Sequence, residues 1–261
     1  DGVGCVGPTE SFTITVNPSA QVDIPDDLVV CNTDTTNILF ATQNTMGSPT
    51  YTWISNIDIG TGLLGTGDLS FTAVNTSTQP LVATIIVTPT FTNDGVSCEG
   101  SSESFTITVN PSAQVNVPTD QEVCNAGITS TIVFTTQNTV GTTTYTWTND
   151  TPSIGLAATG NGDITPFTTT NIGTEPLVAT ITVTPLFSND GTDCNTGASE
   201  TFTITVNPTA EIDLISDQTI CSRYPFDDVA ISTPTLPLGS FTYSWEVITA
   251  GPNLSGFTTA S

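Results

Sequence analysis

Six cysteines, 25 acidic residues, one cation (Arg223) and no histidine are the groups in this 261-residue chain that bear on covalent, acid–base or metal chemistry. A Ser, Thr or Cys nucleophile normally needs a neighbouring base, and with no His and no Lys the usual bases are missing. Paired carboxylates could cleave glycosidic bonds, and Asp23, Asp26 and Asp27 lie close in sequence. Only Asp27 has counterparts in both other units, at Asp120 and Asp217, and a catalytic pair repeated in every module would be unusual. The sequence therefore reads as that of a non-enzyme, without catalytic or cofactor-binding residues. A formal net charge of −24 also excludes nucleic-acid binding, which needs clustered Lys and Arg. No run approaches the ~20 apolar residues of a membrane helix, so direct membrane insertion is not expected.

The cysteines fall into two classes. Cys5, Cys98 and Cys194 end an Asp-Gly-x-x-Cys pattern, whereas Cys31, Cys124 and Cys221 end Asp-x-x-x-Cys. No CxxC spacing accompanies them, so disulfides in an oxidising, extracytoplasmic compartment are expected. Two pairings fit the phase. Pairing within a unit gives Cys31–Cys98 and Cys124–Cys194, with Cys5 and Cys221 bonded outside this stretch. Pairing across a junction gives Cys5–Cys31, Cys98–Cys124 and Cys194–Cys221, but needs the chain to fold back over a whole strand. The first is preferred.

It would also bring Asp27 near Asp94, and Asp120 near Asp190, where Ca²⁺ could bind with backbone carbonyls; calcium is the one cofactor the residues suggest. The competing reading makes Asp94 and Asp190 turn residues of Asn-Asp-Gly and leaves Asp27 facing water. Asn75, Asn149 and Asn253 head formal Asn-x-Ser/Thr sequons, which arise often by chance in a Thr-rich chain.

These groups must be positioned by a repeat. Glu10-Ser-Phe-Thr-Ile-Thr-Val-Asn-Pro returns nearly unchanged from Glu103 and Glu200, at offsets of 93 residues (10 to 103) and 97 (103 to 200). Trp53, Trp147 and Trp245 keep step, as do Phe71, Phe167 and Phe257. Units of this size can own a core, so the repeats are domains. Within each, the apolar period is two: Phe12, Ile14 and Val16 alternate with Ser and Thr, and Phe105/Ile107/Val109 and Phe202/Ile204/Val206 repeat the pattern. Further strands are expected at 38–42, 51–54, 71–74 and 81–87, and no stretch shows a helical period. The expected fold is all-β, tandem immunoglobulin-like antiparallel sandwiches of seven strands, with Trp53, Trp147 and Trp245 in the cores. Residues 1–17 would be the last strand of a preceding repeat, 18–110 and 111–207 complete repeats, and 208–261 the first part of another. Asn-Pro at 17–18, 110–111 and 207–208 makes the linkers short, which suits an extended rod. Strand donation by residues 10–17 to a neighbouring molecule is the less favoured alternative to a longer chain.

The succession Asp-x-x-x-Cys, Tyr-x-Trp, Phe-Thr, Ala-Thr-Ile-x-Val-Thr-Pro, Asn-Asp-Gly-x-x-Cys and Glu-x-Phe-Thr-Ile-Thr-Val-Asn-Pro resembles the PKD-like repeats of SprB-type gliding adhesins, very long surface proteins of gliding Bacteroidota. The Gly-Asp-Gly of ordinary PKD domains is absent after Trp53 and Trp147. The resemblance implies an Ig-like array exported by type IX secretion, attached to the outer membrane and extending as an adhesive filament. Its partners would be neighbouring repeats of the same chain and surface polysaccharide or substratum. In that group Asp-Thr-Thr is an O-glycosylation pattern, which makes Thr35 the modification candidate. A spacer or carbohydrate-binding array of a secreted polysaccharide-degrading enzyme, and a sheath or surface-layer protein, are the alternatives. Acidic repeats with neutral threonine faces would keep such filaments apart over about a Debye length, ~8 Å in physiological salt.

Overall fold

The structure is a computed structural model, and it describes residues 2–221, 223–225, 227–235 and 240–246. The described residues are all-β, with one 3₁₀ turn at Pro152–Ile154 and no α-helix. They form two compact units that do not follow the linear repeats. Unit 1 comprises Asp1–Ala113, Asn138–Thr143 and Leu186–Gly197; unit 2 comprises Gln114–Gln137, Thr144–Pro185 and the described residues from Ala198.

The strands of the first repeat are β1 (Leu28–Cys31), β2 (Thr35–Ile38), β3 (Ser48–Ser55), β4 (Leu64–Thr66), β5 (Leu69–Thr72), β6 (Leu81–Asn93), β7 (Val96–Glu99) and β8 (Glu103–Asn110). One sheet has the order β1-β8-β6-β3-β4, with β7 on the far half of β6, and β2–β5 form the second layer. Period-two alternation explains the packing: Ala83, Ile85 and Val87 of β6 and Phe105, Ile107 and Val109 of β8 point into one core with Phe40, Tyr51, Trp53 and Phe71. Pro89 lies inside β6, where proline would break a ladder. β8 pairs with β6 only over Leu81–Val87 and β7 only over Thr90–Asn93, so Pro89 stands at the changeover between partners.

The second repeat has β9 (Gln121–Cys124), β10 (Thr142–Asn149), β11 (Thr159–Asn161), β12 (Leu177–Asn189), β13 (Thr192–Cys194) and β14 (Glu200–Asn207). Its sheet order, β11-β10-β12-β14-β9 with β13 on β12, repeats the first. The second layer is reduced to the single bridges Ile128↔Thr168 and Ile132↔Ile164. Pro185 again falls between the β14 and β13 registers.

Three expectations change. The sheets are mixed, because β1 runs parallel to β8 and β9 parallel to β14; the whole intervening repeat supplies the crossover that a parallel pair requires. Residues 10–17 form no strand: Phe12, Ile14 and Val16 are exposed, whereas their counterparts in β8 and β14 are buried against the long strands β6 and β12. Trp53 and Trp147 are buried, but Trp245 is exposed, and the residues after it that correspond to β4 and β11 lie outside the described residues. No strand forms among the described residues after Asn207, although the bonds Asp23 N–H to Ala41 O (2.8 Å) and Asn116 N–H to Thr135 O (2.8 Å) recur as Asp213 N–H to Ser232 O (2.9 Å).

Each core Trp lies under a glycine. A Cβ on Gly65 would stand 2.2 Å from Trp53 Cζ2, and one on Gly160 would stand 2.1 Å from Trp147 Cζ2. Gly65→Ala and Gly160→Ala are therefore each expected to destabilise their repeat by about 1–3 kcal/mol through overpacking, read as an earlier urea midpoint with unchanged slope.

Candidate interaction site

The covalent feature of unit 1 is a bond that neither expected pairing contains. Cys31 is joined to Cys194, with a Cα–Cα distance of 5.4 Å and a sequence separation of 163. The expected Cys31–Cys98 bond fails for a geometric reason. Register puts Cys31 opposite Asn110 and Val109 opposite Leu81, at the start of β6, while Cys98 faces Phe91 ten residues further along that strand. Ten extended residues span about 33 Å, against the roughly 4–7 Å between Cα atoms that a disulfide allows. The second repeat has the same registers, Cys124 beside Asn207 and Cys194 beside Phe187, and Cys124–Cys194 is likewise not formed. The junction scheme does not form either, since Cys5, Cys98, Cys124 and Cys221 are free thiols.

The bond is set in a small built site. Cys31, Ala113, Phe187 and Cys194 make an apolar cluster, in which Phe187 and Cys194 are fully buried. Around it, Asn110 donates Nδ2–H to Asn189 O (3.3 Å), and Asn189 donates Nδ2–H back to Asn110 Oδ1 (3.0 Å). Asn32 N–H donates to Asn110 O (2.9 Å) and Asn32 Nδ2–H to Ser112 Oγ (2.9 Å), which also accepts from Thr196 Oγ1 (3.1 Å). The hairpin carrying Asn189 and Cys194 turns through Asp190 (φ 48°) and Gly191 (φ 75°), two left-handed residues in succession. Unit 1 holds a second version of the asparagine pair: Asn93 donates Nδ2–H to Asn17 Oδ1 (3.0 Å), and Asn17 Nδ2–H donates to Asn93 O (3.4 Å). The paired asparagines escaped the sequence reading; their recurrence at 17, 110 and 207 and at 93 and 189 was the available signal.

The four carboxylates proposed for calcium are not brought together. Asp27 Oδ1 accepts the Thr106 N–H at 2.7 Å, and Asp120 Oδ1 accepts the Thr203 N–H at 2.6 Å, so both hold the middle of the last strand of their repeat. Thr106 faces Thr84 of β6, nine residues from Asn93, whereas Asp94 (φ 48°) occupies the turn beyond that end, as Asp190 does in its own repeat. No group of three or more His, Cys, Asp or Glu able to hold a metal occurs among the described residues. Thr35 is exposed on β2. Asn75 and Asn149 are buried with Nδ2 donating to two carbonyls each, so neither sequon is open to a glycan in the fold, and Asn253 lies outside the described residues. A polar cleft of about 360 Å³ is lined by Ser19, Asp23, Gln43 and Glu103, among others, and in it Gln43 donates Nε2–H to Asp23 Oδ1 (3.2 Å).

The hydrogen bond from the Thr106 backbone holds the Asp27 carboxyl below its ordinary value, and that from the Thr180 backbone does the same for Asp150. A lowered folded-state pKa stabilises above the ordinary carboxylate value, and this is lost as pH falls through the lowered value. Asn56 fills the place of Asp150 in the first repeat, donating nothing that titrates while accepting the Thr84 N–H at 2.7 Å. Carbon-detected NMR is expected to show Asp27 and Asp150 titrating below the ordinary aspartate value, and Asp150→Asn should remove its share of the acid loss. Ordinary midpoints at both would contradict the assigned hydrogen bonds.

Strand topology, the two buried Trp residues and the repeated core define the class: an all-β protein of immunoglobulin-like sandwich repeats. No protein-family model matches the chain, and no curated protein sequence does. Similar solved structures include the three N-terminal domains of the highly immunogenic outer capsid protein Hoc of bacteriophage RB49, at 11% identity and TM-score 0.46, covering 73% of this chain and 70% of that one. The DIP-gamma IG1+IG2 pair aligns at 10% identity and TM-score 0.40, over 72% of this chain and 98% of its own. The insect immune protein hemolin aligns at 14% identity and TM-score 0.32, over 73% and 47% respectively.

Proposed function

We propose that this chain is a stretch of an extracytoplasmic array of Ig-like repeats whose task is structural and adhesive: a disulfide-braced stalk that carries a binding surface away from a cell. The observation that carries the reading is the Cys31–Cys194 bond, which ties a cysteine of one sequence repeat to a cysteine of the next and forms in an oxidising compartment. The high acidity and single cation support it, because like-charged segments resist lateral association and present trypsin with one site, after Arg223. The resemblance to gliding adhesins extends the proposal to display on the outer membrane after type IX secretion, with surface polysaccharide or substratum as the target. Thr35 stands exposed for O-glycosylation in that setting. Deletion of the gene in the source cell, scored by filament imaging and an adhesion assay, tests the reading. Loss of surface threads together with attachment is the expected result; normal attachment without the protein would overturn it.

A further inference from the structure

The seat that receives the Asn189–Cys194 hairpin in unit 1 is built a second time in unit 2. Cys124 stands opposite Asn207 in the parallel register that places Cys31 opposite Asn110. Asn125 N–H donates to Asn207 O (2.8 Å), as Asn32 N–H does to Asn110 O. Asn125 Nδ2–H reaches Thr209 Oγ1 (2.9 Å), the counterpart of Ser112, and Asn125 Oδ1 accepts the Asn171 N–H (2.8 Å) as Asn32 Oδ1 accepts that of Asn75 (2.8 Å). Three features differ. Asn207 Nδ2–H donates to Glu122 Oε1 (2.7 Å), where Asn110 Nδ2–H donates to Asn189 O, so an incoming hairpin carbonyl would displace the Glu122 carboxylate. Cys124 is an exposed thiol, while Cys31 is buried in its bond. Asn207 Oδ1 is shut off from solvent with no hydrogen-bond partner, one of three such buried side-chain atoms among the described residues, with Trp53 Nε1 and Thr143 Oγ1. In Asn110 that same atom accepts Nδ2–H from the incoming Asn189.

We propose that Cys124 and Asn207 form a docking seat for the Asn-Asp-Gly-x-x-Cys hairpin of a further repeat in the same polypeptide, closed by a disulfide on Cys124. The partner's asparagine would give its amide hydrogen to Asn207 Oδ1. The separation of 163 seen for Cys31–Cys194 puts that cysteine beyond Ser261, and the same rule puts the partner of Cys98 ahead of residue 1. The bond forms by exchange with a small-molecule disulfide. The Cys124 thiolate attacks one of its sulfurs and expels the first thiol; the hairpin thiolate attacks the mixed disulfide and expels the second. Two cysteine thiols are oxidised and one disulfide reagent is reduced to two thiols. Successive closures then overlap, because the loop starting at Cys124 begins inside the loop that ends at Cys194. The proposal rests on the chain being a repeat array and not on adhesion.

The test inserts a second copy of residues 111–207 after Asn207 in the full chain, so that Asn207 meets the Pro-Ser-Ala junction that follows Asn110. After refolding with oxidised glutathione, acidic-residue-specific digestion and non-reducing peptide mapping should find Cys31–Cys194 and, in equal yield, Cys124 bonded to the Cys194 of the inserted copy. Cys124→Ser should leave that second cysteine as an alkylatable thiol and Cys31–Cys194 intact. A free Cys124 beside a formed Cys31–Cys194 would overturn the seat. Cys124-linked dimers on a non-reducing gel would overturn the choice of the same polypeptide as donor. Absence of both bonds would overturn the array reading as well.

Discussion

Alanine in place of Asn171 is expected to destabilise the second repeat by about 2–4 kcal/mol, an effect out of proportion to a polar side chain in a loop. Asn171 is almost fully buried and works in both directions: Nδ2 donates to Glu175 O (2.8 Å) and Val206 O (2.7 Å), and Oδ1 accepts the Gly173 N–H (3.0 Å). Val206 O lies at the last register position that β14 shares with β12, opposite Leu177, and takes the Asn171 amide as its donor there. A buried carbonyl left without a donor costs about 1–3 kcal/mol; the substitution strands that of Val206 and unties the loop groups Glu175 O and Gly173 N–H, which belong to exposed residues. Asn75 is the same device in the first repeat, donating to Gln79 O (2.8 Å) and Val109 O (2.7 Å), so Asn75→Ala should act equally on unit 1. Asn171→Asp separates hydrogen bonding from volume. It keeps the shape, turns both donors into acceptors facing carbonyls and buries a charge with no cation nearby, so it should be at least as damaging as alanine. Urea melts of the three variants decide the matter; losses under 1 kcal/mol for both Asn171 variants would mean that water replaces the amide.

The asparagines mark the limit of what the sequence conveyed. Strands, cores and repeat phase follow from a period-two pattern that each residue carries locally, and Phe105, Ile107 and Val109 are buried as that pattern requires. The same pattern in Phe12, Ile14 and Val16 gives no strand, because a strand also needs a neighbour, and the alternation does not say whether one is present. Asn75 read as a sequon since a buried and an exposed asparagine are the same letter. The disulfide was illegible for a related reason. Phase narrows six cysteines to two classes, but choosing partners needs the register of β6, which puts Cys31 and Cys98 at opposite ends of one strand. Asp27 likewise looked free for calcium until the parallel pairing of β1 with β8 brought the Thr106 amide to it.

Pulled from its two ends, the oxidised protein is expected to refuse extension of the 163-residue span between Cys31 and Cys194, and to release it only when the bond is reduced. Tension follows the covalent path from residue 1 to Cys31, across the sulfurs, and on from Cys194. The core of the first repeat and strands β9 to β12 of the second lie off that path. A reducing agent, or Cys31→Ser, should therefore add about 540–590 Å of contour at 3.3–3.6 Å per residue. The pairings within repeats would instead lock spans of 67 residues (31 to 98) and 70 (124 to 194), giving two separate releases of about 220–250 Å, so one trace distinguishes the schemes. Reduction should also lower thermal stability, because closing a loop of 163 residues restricts the unfolded chain by up to about 5 kcal/mol on the chain-entropy account. Sandwich repeats without such bonds resist force only while their strands stay paired. Here the load passes to a covalent bond before β6 or β8 can be peeled, so unfolding between Cys31 and Cys194 adds no length. A stalk working under repeated shear would keep its reach for as long as its surroundings remain oxidising.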